Sequence, residues 1–244
     1  MKTTSKNIAT SVLLATALLS GGAQAVPVMN VFEMDIQAGQ SATYDAVARQ
    51  NIERSVQDEA GTLAMYALSS TEQPNRRYMV EIYRDQAAYQ QHLQSESYQY
   101  FKEKSPEILT AHKVATPLQV QYLGDKVAPI TLTDELITNM VRIQVHAKDA
   151  QAFKQIVMPE MIQSLAVEDR VLAIYAGTTQ ADPNTWLFFE IYASEAAYQA
   201  HRQTAHFQKY LTETPNMLGE KTFYQIKPSI LKNKGGLDYP AQQP

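Results

Sequence analysis

Displaced by 109 residues, the sequence meets its own likeness. Residues 61–106 laid over residues 170–215 agree at 17 of 46 positions without a gap, so the chain carries two copies of one module. The phrase EIYRDQAAYQQH, residues 81–92, returns as EIYASEAAYQAH, residues 190–201. Leu63, Ala64, Tyr66 and Ala67 return as Leu172, Ala173, Tyr175 and Ala176, and the turn formers Pro74 and Asn75 as Pro183 and Asn184. The fold must be one that a unit of this length can adopt twice.

Within the first copy, VFEMDI alternates as a strand, and residues 41–57 carry Tyr44, Val47, Ile52 and Val56 at helical spacing. Strands at 62–69 and 77–83 flank the turn at 73–75, helical material spans 85–104 with a break near Ser95, and a strand follows at 113–122. The second copy repeats this order over 140–226, with helices at 149–166 and 194–212. Strand, helix, strand, strand, helix, strand is the ferredoxin-like arrangement. The expected class is α+β: tandem ferredoxin-like βαββαβ modules that cover each other sheet to sheet. The expected boundaries are a leader at 1–25, modules at 28–122 and 137–231, a linker at 123–136 and a flexible tail at 232–244.

The leader, MKTTSKNIATSVLLATALLSGGAQA, combines Lys2 and Lys6 with a short apolar run and small residues around Ala23 and Ala25. That is the composition of a cleaved signal peptide, which places the mature protein in the periplasm or outside the cell. No later run is long enough to span a bilayer, so stable membrane insertion after cleavage is not expected. With 21 basic residues against 25 acidic ones and no basic block, nucleic acid is a poor partner. The chain has no cysteine, so neither disulfides nor thiol chemistry enter.

Glu81-Ile82-Tyr83, Ala87-Ala88-Tyr89-x-x-His92 and Ser97-Tyr98-x-x-Phe101, with Glu190-Ile191-Tyr192, Ala196-Ala197-Tyr198-x-x-His201 and His206-Phe207-x-x-Tyr210 in the second copy, resemble the antibiotic biosynthesis monooxygenase domain. The resemblance covers nearly the whole mature chain as two tandem domains. It implies an intrachain version of the dimeric alpha-beta barrel and an aromatic-sized pocket in each module. The wider group includes cofactor-free oxygenases of quinol-like aromatics and haem-degrading enzymes. In the haem-degrading branch, the resemblance would put an axial histidine where this chain has Lys102 and Leu211, so haem oxygenation is not expected.

The candidate catalytic residues are His92, His201 and His206. A neutral imidazole can take a proton from a phenol or quinol, leaving an electron-rich anion that reacts with oxygen. His92 and His201 lie three residues after Tyr89 and Tyr198, on one helical face. Glu81 and Glu190 are candidates to cap the following helix or to hold a histidine ring. His206 has only Ser97 opposite it, which would make the second module alone fully equipped if that histidine is needed.

Tyr66, Tyr83, Tyr89, Tyr175, Trp186, Tyr192 and Tyr198 are the candidate substrate-binding residues, since aromatic walls suit a planar ligand. Strand alternation turns some of the tyrosines toward the opposing sheet instead. No metal is expected, because no carboxylate or third ligand stands at a complementary spacing to His201 and His206 and there is no HExxH. No glycine-rich nucleotide loop, flavin site or haem site is evident, so no cofactor is expected.

The leading expectation is a cofactor-independent monooxygenase of a small reduced aromatic or quinol-like substrate. A non-catalytic periplasmic binding protein for a small aromatic or a porphyrin is the alternative. Further homo-oligomerisation is left open.

Overall fold

A computed structural model describes residues 25–240 of the protein. The first copy comprises β1 (Val28–Ile36), α1 (Ser41–Asp58), β2 (Thr62–Ser70), β3 (Arg76–Tyr83), α2 (Gln86–His92), α3 (Glu96–Ile108) and β4 (Leu109–Asp125). The second comprises β5 (Ile137–Val145), α4 (Ala150–Val167), β6 (Val171–Thr179), β7 (Thr185–Tyr192), α5 (Glu195–His201), α6 (Ala205–Glu213), β8 (Leu218–Tyr224), β9 (Ile226–Asn233) and the short β10 (Asp238–Pro240). Both copies have the expected βαββαβ order, and the break near Ser95 is the boundary between α2 and α3. Residues 1–24 of the expected leader lie outside the described residues. Among those that are described, no helix is long and apolar enough to cross a membrane.

The main path of the hydrogen-bonded sheet runs β8-β5-β7-β6-β4-β1-β3-β2-β9, with β10 on β4. Residues 109–118 of β4 pair with β1 of their own module, while residues 118–125 pair with β6 of the other. β8 pairs with β5, and β9 crosses to β2. Each module therefore hands a strand to its neighbour.

The closed barrel expected from the resemblance is not formed, because this order begins at β8 and ends at β9. Gln225 alone separates these two strands, and its carbonyl accepts from Thr71 N at 2.9 Å. The chain passes there from one partner to the next, so β8 and β9 follow each other end to end instead of pairing side by side.

Strand alternation sorts the side chains into an inner and an outer set. Tyr66 and Leu68 of β2, Val80 and Ile82 of β3, Tyr175 of β6 and Phe189 and Ile191 of β7 meet in one core shared by both halves. The alternate residues face helices: Met79 and Tyr83 pack with Tyr44, Val47 and Ile52 of α1, and Trp186, Phe188 and Tyr192 pack with Phe153, Val157 and Met161 of α4.

Two expected boundaries move. β4 runs to Asp125, so the connection begins later than residue 123. Of the segment expected as a loose tail, residues 232–240 complete β9 and supply β10, and residues 241–244 lie outside the described residues. Asn233 shows why: it is buried, donates to Asp125 Oδ2 at 3.0 Å and accepts from Ile130 N at 2.7 Å.

Candidate functional site

Each module places its repeated histidine at the last position of a two-turn helix. Asp85 starts α2 by accepting from Ala88 N at 2.8 Å, and Ser95 starts α3 by accepting from Tyr98 N at 3.3 Å. Ser194 and Thr204 do the same for α5 and α6. The capping role considered for Glu81 and Glu190 thus belongs to residues further along. The geometry turns His92 and His201 fully inward, at 0% and 1% exposed.

Their carboxylate partners come from the ends of the first helices. Glu59, just beyond α1, lies 3.0 Å from His92 Nδ1, and Glu168, just beyond α4, lies 3.0 Å from His201 Nδ1. Burial alone would raise the Glu59 carboxyl, but hydrogen bonds with His92 and Thr62 bring it down to about 2. An ionised carboxylate can only accept, so Nδ1 of His92 donates to it, and in the neutral ring this places the remaining lone pair on Nε2. That Nε2 is buried and has no hydrogen-bond partner.

Glu81 and Glu190 bind tyrosines instead. Tyr83 donates to Glu81 Oε2 at 2.8 Å, and Tyr192 donates to Glu190 Oε2 at 3.0 Å. Burial pushes both carboxyls up. Asn30 and Asn139 sit opposite Glu81 and Glu190 in the strand register.

A cavity opens between sheet and helices in each module, on equivalent positions but with unequal room. The first, of about 320 Å³, is walled by Phe32, Met79, Glu81, Tyr89, Tyr98 and Phe101, with Asn51 and Lys113 among its polar groups. The second holds only about 60 Å³, between Glu160, Phe188, Glu190, Tyr198, Phe207 and Phe223. Met79 is replaced by Phe188 under the repeat, and strand register sets Ala115 beside Phe32 but Phe223 beside Val141. Bulk fills the second pocket. Small-molecule sites typically need roughly 300 Å³ or more, which the first cavity alone of these two reaches.

The second module has a denser set of ionisable groups. Glu168 Oε1 lies 2.7 Å from His206 Nε2 as well as 3.0 Å from His201 Nδ1, and Glu160 Oε1 lies 3.8 Å from His201 Nε2. Burial pushes Glu160 up to about 8, although Ser164 donates to it at 2.8 Å. The first copy has Asn51 at the position of Glu160 and Ser97 at that of His206.

The aromatic candidates divide accordingly. Tyr89 and Tyr198 line the two cavities. Tyr83 and Tyr192 lie behind them, with ring centroids 5.3 Å from those of His92 and His201. Tyr66 and Tyr175 face the other way, into the shared core, where their hydroxyls meet at 2.7 Å. Trp186 is buried, stacked on Phe188 and edge-on to Phe153. Reading the sequence missed Glu59, Glu168 and Glu160. The first two carried a signal, since the spacing from glutamate to histidine is the same in both copies.

The family described as antibiotic biosynthesis monooxygenase matches residues 27–104 and again residues 136–213. No curated protein matches the chain significantly. A crystal structure from Fusobacterium nucleatum subsp. nucleatum, provisionally assigned as a monooxygenase, is 27% identical, with a TM-score of 0.83 over 88% of this chain and 98% of that one. A Lactobacillus acidophilus structure with the same provisional assignment is 24% identical, with a TM-score of 0.82 over 88% of this chain and 99% of that one, and shows the shared fold.

Proposed function

Since the chain belongs to the antibiotic biosynthesis monooxygenase family, we propose that it oxygenates a small reduced aromatic of the quinol type, without a cofactor, in the cavity of the first module. The observation that carries this reading is His92, which lies just behind the wall of the larger cavity: its Nδ1 is held by Glu59, its Nε2 has no partner, and its ring centroid is 5.0 Å from that of Tyr98, which lines the cavity. The provisional assignment of the Fusobacterium nucleatum relative points the same way.

In this mechanism the planar substrate lies among Phe32, Tyr89, Tyr98 and Phe101. His92 Nε2 takes the proton of a phenolic hydroxyl, and Glu59 stabilises the imidazolium that results. The ring anion gives an electron to dioxygen, and the two radicals join to form a C–O bond. Loss of the ring hydrogen then breaks the O–O bond, leaving one oxygen atom on the ring and releasing the other as water. The four electrons come from the substrate, which passes from quinol to hydroxyquinone. The apolar walls limit water around the anion.

Purified protein should consume oxygen with hydroquinones or naphthohydroquinones faster than autoxidation, and ¹⁸O₂ should leave one labelled atom in the product. A bound quinol that is not turned over would instead mark the chain as a binding protein and overturn the reading.

A further inference from the structure

The second module departs from the first at the positions that would make a metal site. Glu160 of α4, His201 at the end of α5 and His206 at the start of α6 each offer a ligand atom within 4.8 Å of the other two. These residues come from three helices, and all three side chains are at least nine-tenths buried. The same positions in the first copy hold Asn51, His92 and Ser97, which supply one strong ligand.

We propose that Glu160, His201 and His206 bind a divalent transition ion of the zinc type. Two ligands of a tetrahedral ion, with bonds of about 2.0–2.1 Å, stand about 3.4 Å apart. The 3.8 Å between Glu160 Oε1 and His201 Nε2 is too long for a hydrogen bond and closes onto an ion with a shift of about half an ångström. Two imidazoles and a carboxylate make a donor set suited to zinc, cobalt or nickel rather than calcium or magnesium.

The surroundings fit the same reading. Glu168 accepts from both histidines, the outer carboxylate that orients imidazoles toward a metal. Ser164 donates to the same Oε1 of Glu160 and so orients the carboxylate, whose oxygen keeps a second lone pair for an ion. Glu160 also borders the small cavity, together with Glu190, Tyr198 and Phe207, and the cavity leaves room for a water or one further small ligand on the ion. In this arrangement the ion ties α4, α5 and α6 together, and the second module becomes a metal-braced partner for the pocket of the first.

The test is calorimetric titration of the purified, tag-free chain with Zn²⁺, and with Co²⁺ as an optical probe. One ion per chain and visible Co²⁺ absorption are expected. His206→Ser, which installs the first copy's residue, should weaken binding by about 100-fold or more. Glu168→Gln should weaken it by roughly 10–100-fold. Glu160→Gln keeps the side-chain shape and should also lose the ion, while His92→Gln should bind as the parent does. Circular dichroism establishes that each variant is folded. Absence of saturable binding, or His206→Ser and Glu160→Gln binding like the parent, would overturn the assignment. Because the site lies in the other copy, its failure leaves the quinol reading standing, and the reverse holds as well.

Discussion

Glu59 and His92 meet across 33 residues at the buried end of two helices, and the pair sets a measurable pH dependence. The Glu59 carboxyl has an ordinary value of 4.5 and sits at about 2 in the folded protein. Between those values the unfolded chain binds the proton more readily, so the contribution to stability is complete above about 4.5 and is lost as pH falls toward 2. Chemical denaturation from pH 6 to pH 2 should show that loss in the parent and a flatter profile in Glu59→Gln. The histidines and their helix were legible from the repeated phrase, because a two-turn helix needs only its cap and its apolar face. Their partners were not, because a carboxylate just beyond one helix is brought to an imidazole on another by tertiary packing alone.

At the level of elements, the exchanged strands carry the join between the modules. β9 lies at the end of the sheet, which is why it tolerates Pro228. It still buries Ile230 on the helix side and Leu231 in the shared core. Gly235, Gly236 and the prolines at 240 and 244 read as breakers in the sequence, so residues 232–244 looked like a tail. Its order comes from β2 and from Asp125, which accepts from Tyr175, Asn233 and the Leu237 amide. Asn233→Ala strips a donor from Asp125 and an acceptor from Ile130 N. Leaving such groups unsatisfied should lower unfolding free energy by about 1–3 kcal/mol in urea melts. A surface-like response, within about 0.5 kcal/mol, would mean that β9 does not secure the join.

For the molecule as a whole, the central fact is a core with two owners. Tyr66 and Tyr175 are separated by 109 residues, the repeat distance, so their hydroxyl contact marks the pseudo-twofold axis. Tyr175 donates to Asp125, which leaves Tyr66 as donor to Tyr175. With this cluster and both exchanged strands spanning the halves, scanning calorimetry should find one cooperative transition rather than two. Tyr66→Phe should lower it while keeping it single, at a cost of about 1 kcal/mol. The duplication made two modules and a shared face legible. The openness of the sheet was not, since it depends on where β8 hands over to β9. The inequality of the two cavities was equally hidden, because it rests on single bulky substitutions such as Phe188 and Phe223.

Division of labour between the copies is the claim most open to a direct test: protein-dependent oxygen uptake with a naphthohydroquinone, compared between His92→Ala and His201→Ala at matched folded concentration. Removing His92 should cost about 10²–10⁴-fold, the range for a general base, while the His201 variant should keep the parent rate within a few-fold. Equal activity in both variants, or a loss confined to His201→Ala, would contradict the placement of the chemistry in the first module.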